Sequence, residues 1–205
     1  MLTDAILLTG EREHASLKPH LMRSNPSLNL HHAVTEADLR HHLQATQYQA
    51  RLIAFTTGVI VPEDILNRLE KSPYNFHPGP PHVPGRYPEA WGVYFEERRF
   101  GATAHVMHRL VDAGPIVDVE WFDVPAAVDR FDMAKLCFTC VSRLFVRLAP
   151  QLATATEDLP IRDDLAWTGR KWRLADYEEL RDNPPCDDDH EAARRLRSFG
   201  PPVTV

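Results

Sequence analysis

The first half of the chain alternates short apolar runs with stretches of helical length, and no other feature limits the fold as much. Ala5 to Leu8 (AILL) runs into Thr9-Gly10, Leu28 to Val34 is a second candidate strand, Arg51 to Thr56 (RLIAFT) reads as a buried strand, and Pro73 to Phe76 as another. The stretch Ser16 to Arg23 reads as a helix with Pro19 in its first turn, where a missing N–H is tolerated. Thr35 predicts an N-cap for a helix reaching about Gln47, with Asp38 standing in for the usual capping-box glutamate. Pro62-Glu63-Asp64 opens a further helix, with proline in the first turn and acids at the positive end of the dipole. Strands separated by helices in this way predict βαβ units, a parallel sheet and right-handed crossovers. Ligands of such sheets bind at the carboxyl ends of the strands.

From His77 to Pro88 the chain carries five prolines and two glycines in twelve residues, a density that excludes regular structure and predicts a stiff loop. Pro88 to Glu97 reads as a short helix, and Ala102 to Leu110 and Pro115 to Val124 as strands. Asp129 to Ala153 carries the longest helical pattern. Met133, Leu136, Cys137, Cys140, Val141, Leu144, Phe145 and Leu148 recur at helical spacing and predict one buried face. Beyond Leu159 the sequence is polar and reads as irregular, with Trp167, Trp172 and Tyr177 as isolated anchors. At 205 residues the expectation is one domain, 1–155, and a short C-terminal extension, 156–205, packing on that domain or on a partner subunit.

Several function classes are disfavoured. A net charge of −6, with no basic tail or stripe, argues against nucleic acid as a partner. The apolar runs are too short to cross a bilayer, and Met1-Leu2-Thr3-Asp4 lacks the basic start of a signal peptide. No membrane partner is expected, and the cytoplasm is the expected location. Cys137, Cys140 and Cys186 make no disulfide framework, and Cys137 and Cys140 read as small buried residues of a core helix. Adjacent histidines point apart, so His31-His32 and His41-His42 are poor chelators. Cys186-Asp187-Asp188-Asp189 reads as a solvated acidic run. No metal is expected.

Three segments carry the candidate chemistry. In Asn75-Phe76-His77-Pro78-Gly79-Pro80-Pro81, a strand places the Asn75 amide and the His77 imidazole on the same side. Gly85-Arg86-Tyr87-Pro88-Glu89-Ala90-Trp91 follows. Then come Gly101-Ala102-Thr103-Ala104-His105 and Asp112-Ala113-Gly114-Pro115-Ile116. In this order they resemble the folate-dependent formyltransferases, whose catalytic domain carries N-x-H-P-S/G, G-x-x-P-x-x-W, G-x-T-x-H and D-x-G-x-I. The resemblance covers roughly residues 1–155 and is most secure over 51–150.

The resemblance implies an α/β, three-layer, Rossmann-like formyltransferase fold with a mostly parallel sheet. It implies transfer of a formyl group from 10-formyltetrahydrofolate, as co-substrate, to a small-molecule acceptor, an amine, through a tetrahedral intermediate. Acyl transfer of this kind needs donors aimed at the developing oxyanion and a base for the amine. Asn75 and a protonated His77 would be the donors, with Asp112 holding the imidazolium and relaying the proton. The pterin contacts would come from Phe55, Thr56, Thr57, Gly58, Val59, Ile60 and Val61, and from Val111, Ala113, Gly114 and Ile116. Gly79, Arg86 and His108 would border the acceptor. His105 reads as structural, and Trp91 and Tyr87 as packing residues.

Where the family commonly has Ser-Leu-Leu-Pro after His-Pro, this chain has Gly79-Pro80-Pro81-His82, a form similar to the front half of hydrogenase-maturation formyltransferase-like proteins. That loop borders the acceptor, so the acceptor stays open. Thr9-Gly10-Glu11-Arg12-Glu13 does not suit the phosphate of a glycinamide ribonucleotide. No basic RNA-binding domain or N-terminal regulatory domain is expected. Nucleotide-linked amino sugars remain open, because Ala192 to Pro201 loosely resembles a segment of enzymes acting on them. A hydrolase releasing formate, a non-catalytic folate-binding module and a generic nucleotide binder are the alternatives, the last disfavoured by the lack of G-x-G-x-x-G. A homodimer is the assembly that the reading allows.

Overall fold

A computed structural model describes residues 1–183 and 188–203. Six strands form one sheet in the order β2-β1-β3-β4-β5-β6. Strands β1 (Asp4–Leu8), β2 (Asn29–Ala33), β3 (Arg51–Phe55) and β4 (Tyr74–His77) pair in parallel, and β5 (Arg99–Val106) and β6 (Ile116–Asp123) are antiparallel additions. Helices cover both faces. This is the expected three-layer α/β architecture with a mostly parallel sheet.

Alternation along the strands builds the layers. Leu7, Ile53, Phe55, Tyr74 and Phe76 meet helices α1 (Glu11–Ser24) and α5 (Arg130–Thr154) in one core. Ile6, Leu8, Leu52 and Ala54 face the other way, onto α2 (Glu36–Ala45) and the single turn α3 (Glu63–Leu66). Asn75 and His77 share this second face. Over β4 and β5 that face is roofed not by a helix but by the irregular segments that form the site.

Thr35 caps α2 with the full capping box to Asp38. Helix α1 begins at Glu11, not Ser16, so Pro19 lies inside it. The proline is tolerated because Pro19 and Ala15, whose carbonyl loses its partner, are both solvent-exposed. Strand β5 runs from Arg99 rather than Ala102 and stops at Val106, where the Met107 N–H turns to the Pro73 carbonyl. By length and composition α5 is able to span a membrane, but here half of its most apolar window is buried and its apolar face lies on the sheet. Cys137 and Cys140 are free thiols on that face, and burial pushes the Cys140 thiol up to about 12.

The segment after Leu159 is not simply irregular. Beyond the pair α4 (Pro88–Tyr94) and α5 it forms α6 (Leu174–Asp182) and α7 (Asp189–Phe199). Tyr177 and Phe199 insert among Trp91, Val93, Phe100, Met133 and Cys137, a third core absent from the sheet's own layers. Asp188 caps α7 through the His190 and Glu191 N–H groups, whereas Cys186 and Asp187 of the acidic run lie outside the described residues.

Candidate active site

Strand β4 ends in Asn75, Phe76 and His77, and its antiparallel neighbour sets Asn75 opposite His105 and His77 opposite Thr103. Phe76 points into the α5 core, so all four polar side chains share the other face. The connection from β5 to β6 then folds back over that face and delivers Asp112, whose backbone sits at φ 48°, left-handed and uncommon for a residue with a Cβ.

The result is a continuous polar chain. Asp112 Oδ2 lies 3.5 Å from His77 Nδ1 and accepts the Gly85 N–H at 2.8 Å, and its Oδ1 lies 3.4 Å from His105 Nε2. His105 Nε2 lies 3.0 Å from Asn75 Nδ2. The Val106 carbonyl, 2.9 Å from His105 Nδ1, accepts the hydrogen on that nitrogen, and Nε2 faces both the Asn75 amide and the Asp112 carboxylate. The Asn75 amide carries a second N–H that remains for a ligand. His77 donates Nε2–H to the Val83 carbonyl at 3.1 Å. His77, His105 and Asp112 are 4%, 2% and 6% exposed. His105, read from sequence as structural, is the residue that joins Asn75 to Asp112.

Burial opposes the charge on Asp112, but His77, His105 and the Gly85 N–H outweigh it and hold the carboxyl at about 2. For His77 burial dominates and draws the imidazole below its ordinary value against the pull of Asp112. The expected standing imidazolium is therefore not favoured. Two further features tune this environment. Trp167 donates Nε1–H to the Gly114 carbonyl at 2.8 Å and sets its ring edge-on to His105 at 5.0 Å and to His77 at 5.8 Å. At Gly79 a Cβ would stand 2.5 Å from His77 Nε2 and 2.6 Å from Pro88, so only glycine lets the loop close on the imidazole.

A cavity of about 660 Å³ opens beside this chain. Asn75, His77 and Asp112 line it together with Thr56, Thr57, Gly58, Val59, Ile60 and Val61, and with Arg86, His108 and Val111. Phe55, Gly79, Ala113, Gly114 and Ile116 are not in its wall. Phe55 points into the α5 core, Ile116 is buried at the start of β6, Ala113 faces solvent, and Gly114 receives Trp167. Lys171, Trp172, Arg173 and Leu174 also line the cavity, and nothing in their local sequence announces it. The histidines read as poor chelators are engaged elsewhere: His31 contacts Asp4, His32 the Thr9 carbonyl and His42 the His32 carbonyl.

No family model matches the chain. Solved structures do. A 4-N formyltransferase from Francisella tularensis superposes with a TM-score of 0.75 at 16% identity, covering 96% of this chain and 87% of that one. The N-formyltransferase from Helicobacter canadensis, solved with folinic acid and dTDP-3-aminofucose, gives 0.70 at 13% identity, over 97% of this chain and 81% of that one. The fold is the formyltransferase fold. A variant of HypX from Aquifex aeolicus also matches, with a TM-score of 0.62 at 16% identity, but this chain spans only 34% of its length. The formyltransferase fold thus recurs at low identity, both alone and inside a larger protein.

Proposed function

We propose that the chain is a folate-dependent formyltransferase that moves a formyl group from 10-formyltetrahydrofolate to an amine on a small molecule, in the cytoplasm. The observation that carries this reading is the buried Asn75–His105–Asp112–His77 chain in the wall of a cavity of about 660 Å³. A cavity of that size suits a ligand as large as a pterin with its attached ring. Its wall from Thr56 to Val61 is largely free of ionisable groups, so main-chain N–H and C=O groups are the natural partners for a pterin's donors and acceptors.

The residues then divide the work. The unspent Asn75 N–H meets the oxygen of the tetrahedral intermediate, worth about 3 kcal/mol of barrier for one such donor. His77, neutral by burial, takes up the proton that the attacking amine releases. The neighbouring Asp112 carboxylate stabilises the imidazolium as it forms. His105 keeps Asn75 and Asp112 in register. Catalysis on this scheme needs no nucleophilic side chain of the protein.

The test is incubation with 10-formyltetrahydrofolate and a metabolite extract, followed by mass spectrometry. Products heavier by one CO, lost on His77→Ala with binding of 5-formyltetrahydrofolate retained, are expected. Formate release without any acceptor would reassign the site to hydrolysis. Folate binding without turnover under any acceptor would leave a binding module.

A further inference from the structure

Helix α5 buries one face and leaves the opposite one uncovered. Val141, Leu144, Phe145 and Leu148 lie in the core against the sheet, and helices α1 and α4 pack against the same helix. Outward, Phe131, Lys135, Phe138, Ser142 and Val146 recur at helical spacing and form one stripe about 22 Å long. The outer face of an amphipathic helix is ordinarily polar. Here Phe131 is 62% and Phe138 43% exposed. An open groove of about 520 Å³ runs beside them, lined by Phe138, Thr139, Ser142, Arg143, Val146 and Arg147, all of α5 itself. Contiguous apolar surface rimmed by polar groups marks a place where something binds.

The charges along the stripe say what fits. Asp132 stands near its N-terminal end and Arg143 toward its C-terminal end. Eleven residues make three helical turns to within about 20°, so both lie on the same flank. Asp132 holds only Lys135, an exposed pair of the weak surface kind. Arg147 is taken by Asp118 and Glu120 of β6, but Arg143 has no ion-pair partner among the described residues. An acid at one end and an unanswered cation at the other complement the same face turned end for end.

We propose that this face binds a second copy of the chain, with α5 packed antiparallel on itself. A two-fold axis between Phe138 and Thr139 sets Phe131 against Val146 of the second copy, Lys135 against Ser142 and Phe138 against Thr139, each contact made twice. The same axis keeps flank with flank, so Asp132 of each copy comes within one turn of Arg143 of the other. Parallel pairing would instead oppose Asp132 to Asp132 and Arg143 to Arg143, and like charges across an interface repel. An apolar centre with a charged rim results. The interface does not depend on the formyl-transfer reading, since α5 and the cavity lie on opposite faces of the sheet.

Sedimentation velocity across the micromolar range compares the wild type with Phe131→Ser, Asp132→Arg, Arg143→Asp and the double exchange Asp132→Arg/Arg143→Asp. A monomer–dimer equilibrium that weakens by roughly ten-fold or more in each single variant, and recovers in the double exchange, supports the interface and its antiparallel register. A wild type that is monomeric throughout overturns the proposal, as does a dimer that Arg143→Asp leaves unmoved or that the double exchange fails to restore. A monomer that co-sediments with anionic lipid vesicles overturns it too and gives the face to a lipid surface. The substituted positions are solvent-exposed, and far-UV circular dichroism confirms that each variant is folded.

Discussion

At the scale of single residues, the proposed chemistry depends on one loop carboxylate meeting two strand imidazoles. Asn75→Ala is expected to lower kcat by about 100-fold or more while 5-formyltetrahydrofolate still binds, as for loss of one oxyanion donor; equal kcat in both proteins rules out that role. The burial of His77 also couples stability to pH. Its folded value lies below the ordinary 6.5, so the unfolded chain takes up the proton first. The stabilisation is complete above 6.5 and declines as pH falls from there toward the folded value. Urea midpoints measured across that interval are expected to fall less in His77→Asn than in the wild type. A parallel fall would show that other groups, such as the similarly lowered His14, carry the dependence. That Asn75, His77 and Asp112 meet in one cavity wall was legible in the sequence, because the strand period sets the first two side by side and the family resemblance supplies the third. His105 was read as structural, but its contacts with Asn75 and Asp112 come from antiparallel register, which no local pattern prints. The Asp112 turn was equally opaque, since its left-handed backbone is imposed by the surrounding loop.

At the scale of elements, the strongest patterns were the most legible. The capping box of α2, the buried run of β3 and the apolar face of α5 each follow from local sequence. Helices α6 and α7 did not show, because each buries little of its own surface: Tyr177 in one, Ser198 and Phe199 in the other. Beyond Phe199, helix α7 is tied to α4 by the hydrogen bond from Tyr94 to Glu191, and it carries internal ion pairs of Glu191 with Arg194 and Arg195. Arg51 was read only as the start of a strand. It is fully buried, and its guanidinium donates to the carbonyls of Gln151, Leu152, Ala155 and Glu157, closing the C-terminal end of α5. Arg51→Met is expected to destabilise the protein by about 3 kcal/mol, since one buried and three partly buried carbonyls lose their charged donor. Chemical denaturation measures this directly, and a loss below about 1 kcal/mol would mean that water replaces the guanidinium.

At the scale of the whole molecule, the sheet presents the proposed reacting groups and the C-terminal segment encloses them. Trp172→Ala removes the ring stacked on Trp91 and is expected to cost about 3 kcal/mol, read as a lower denaturant midpoint. Trp167→Ala leaves the core intact but admits water to His77 and His105, so the pH profile of turnover is expected to shift toward alkaline values as the His77 pKa rises. An unmoved profile would assign Trp167 to packing alone. The overall architecture was legible from the order of strands and helices; the enclosing wall was not, because its pairings join segments nearly ninety residues apart, from Pro81 to Thr168 and from Pro84 to Trp172. That separation has a consequence for synthesis on the ribosome. A nascent chain that has released Asn75, His77 and Asp112 carries every group of the proposed reaction, yet its pocket lacks one side until Trp167 to Arg173 emerge from the exit tunnel.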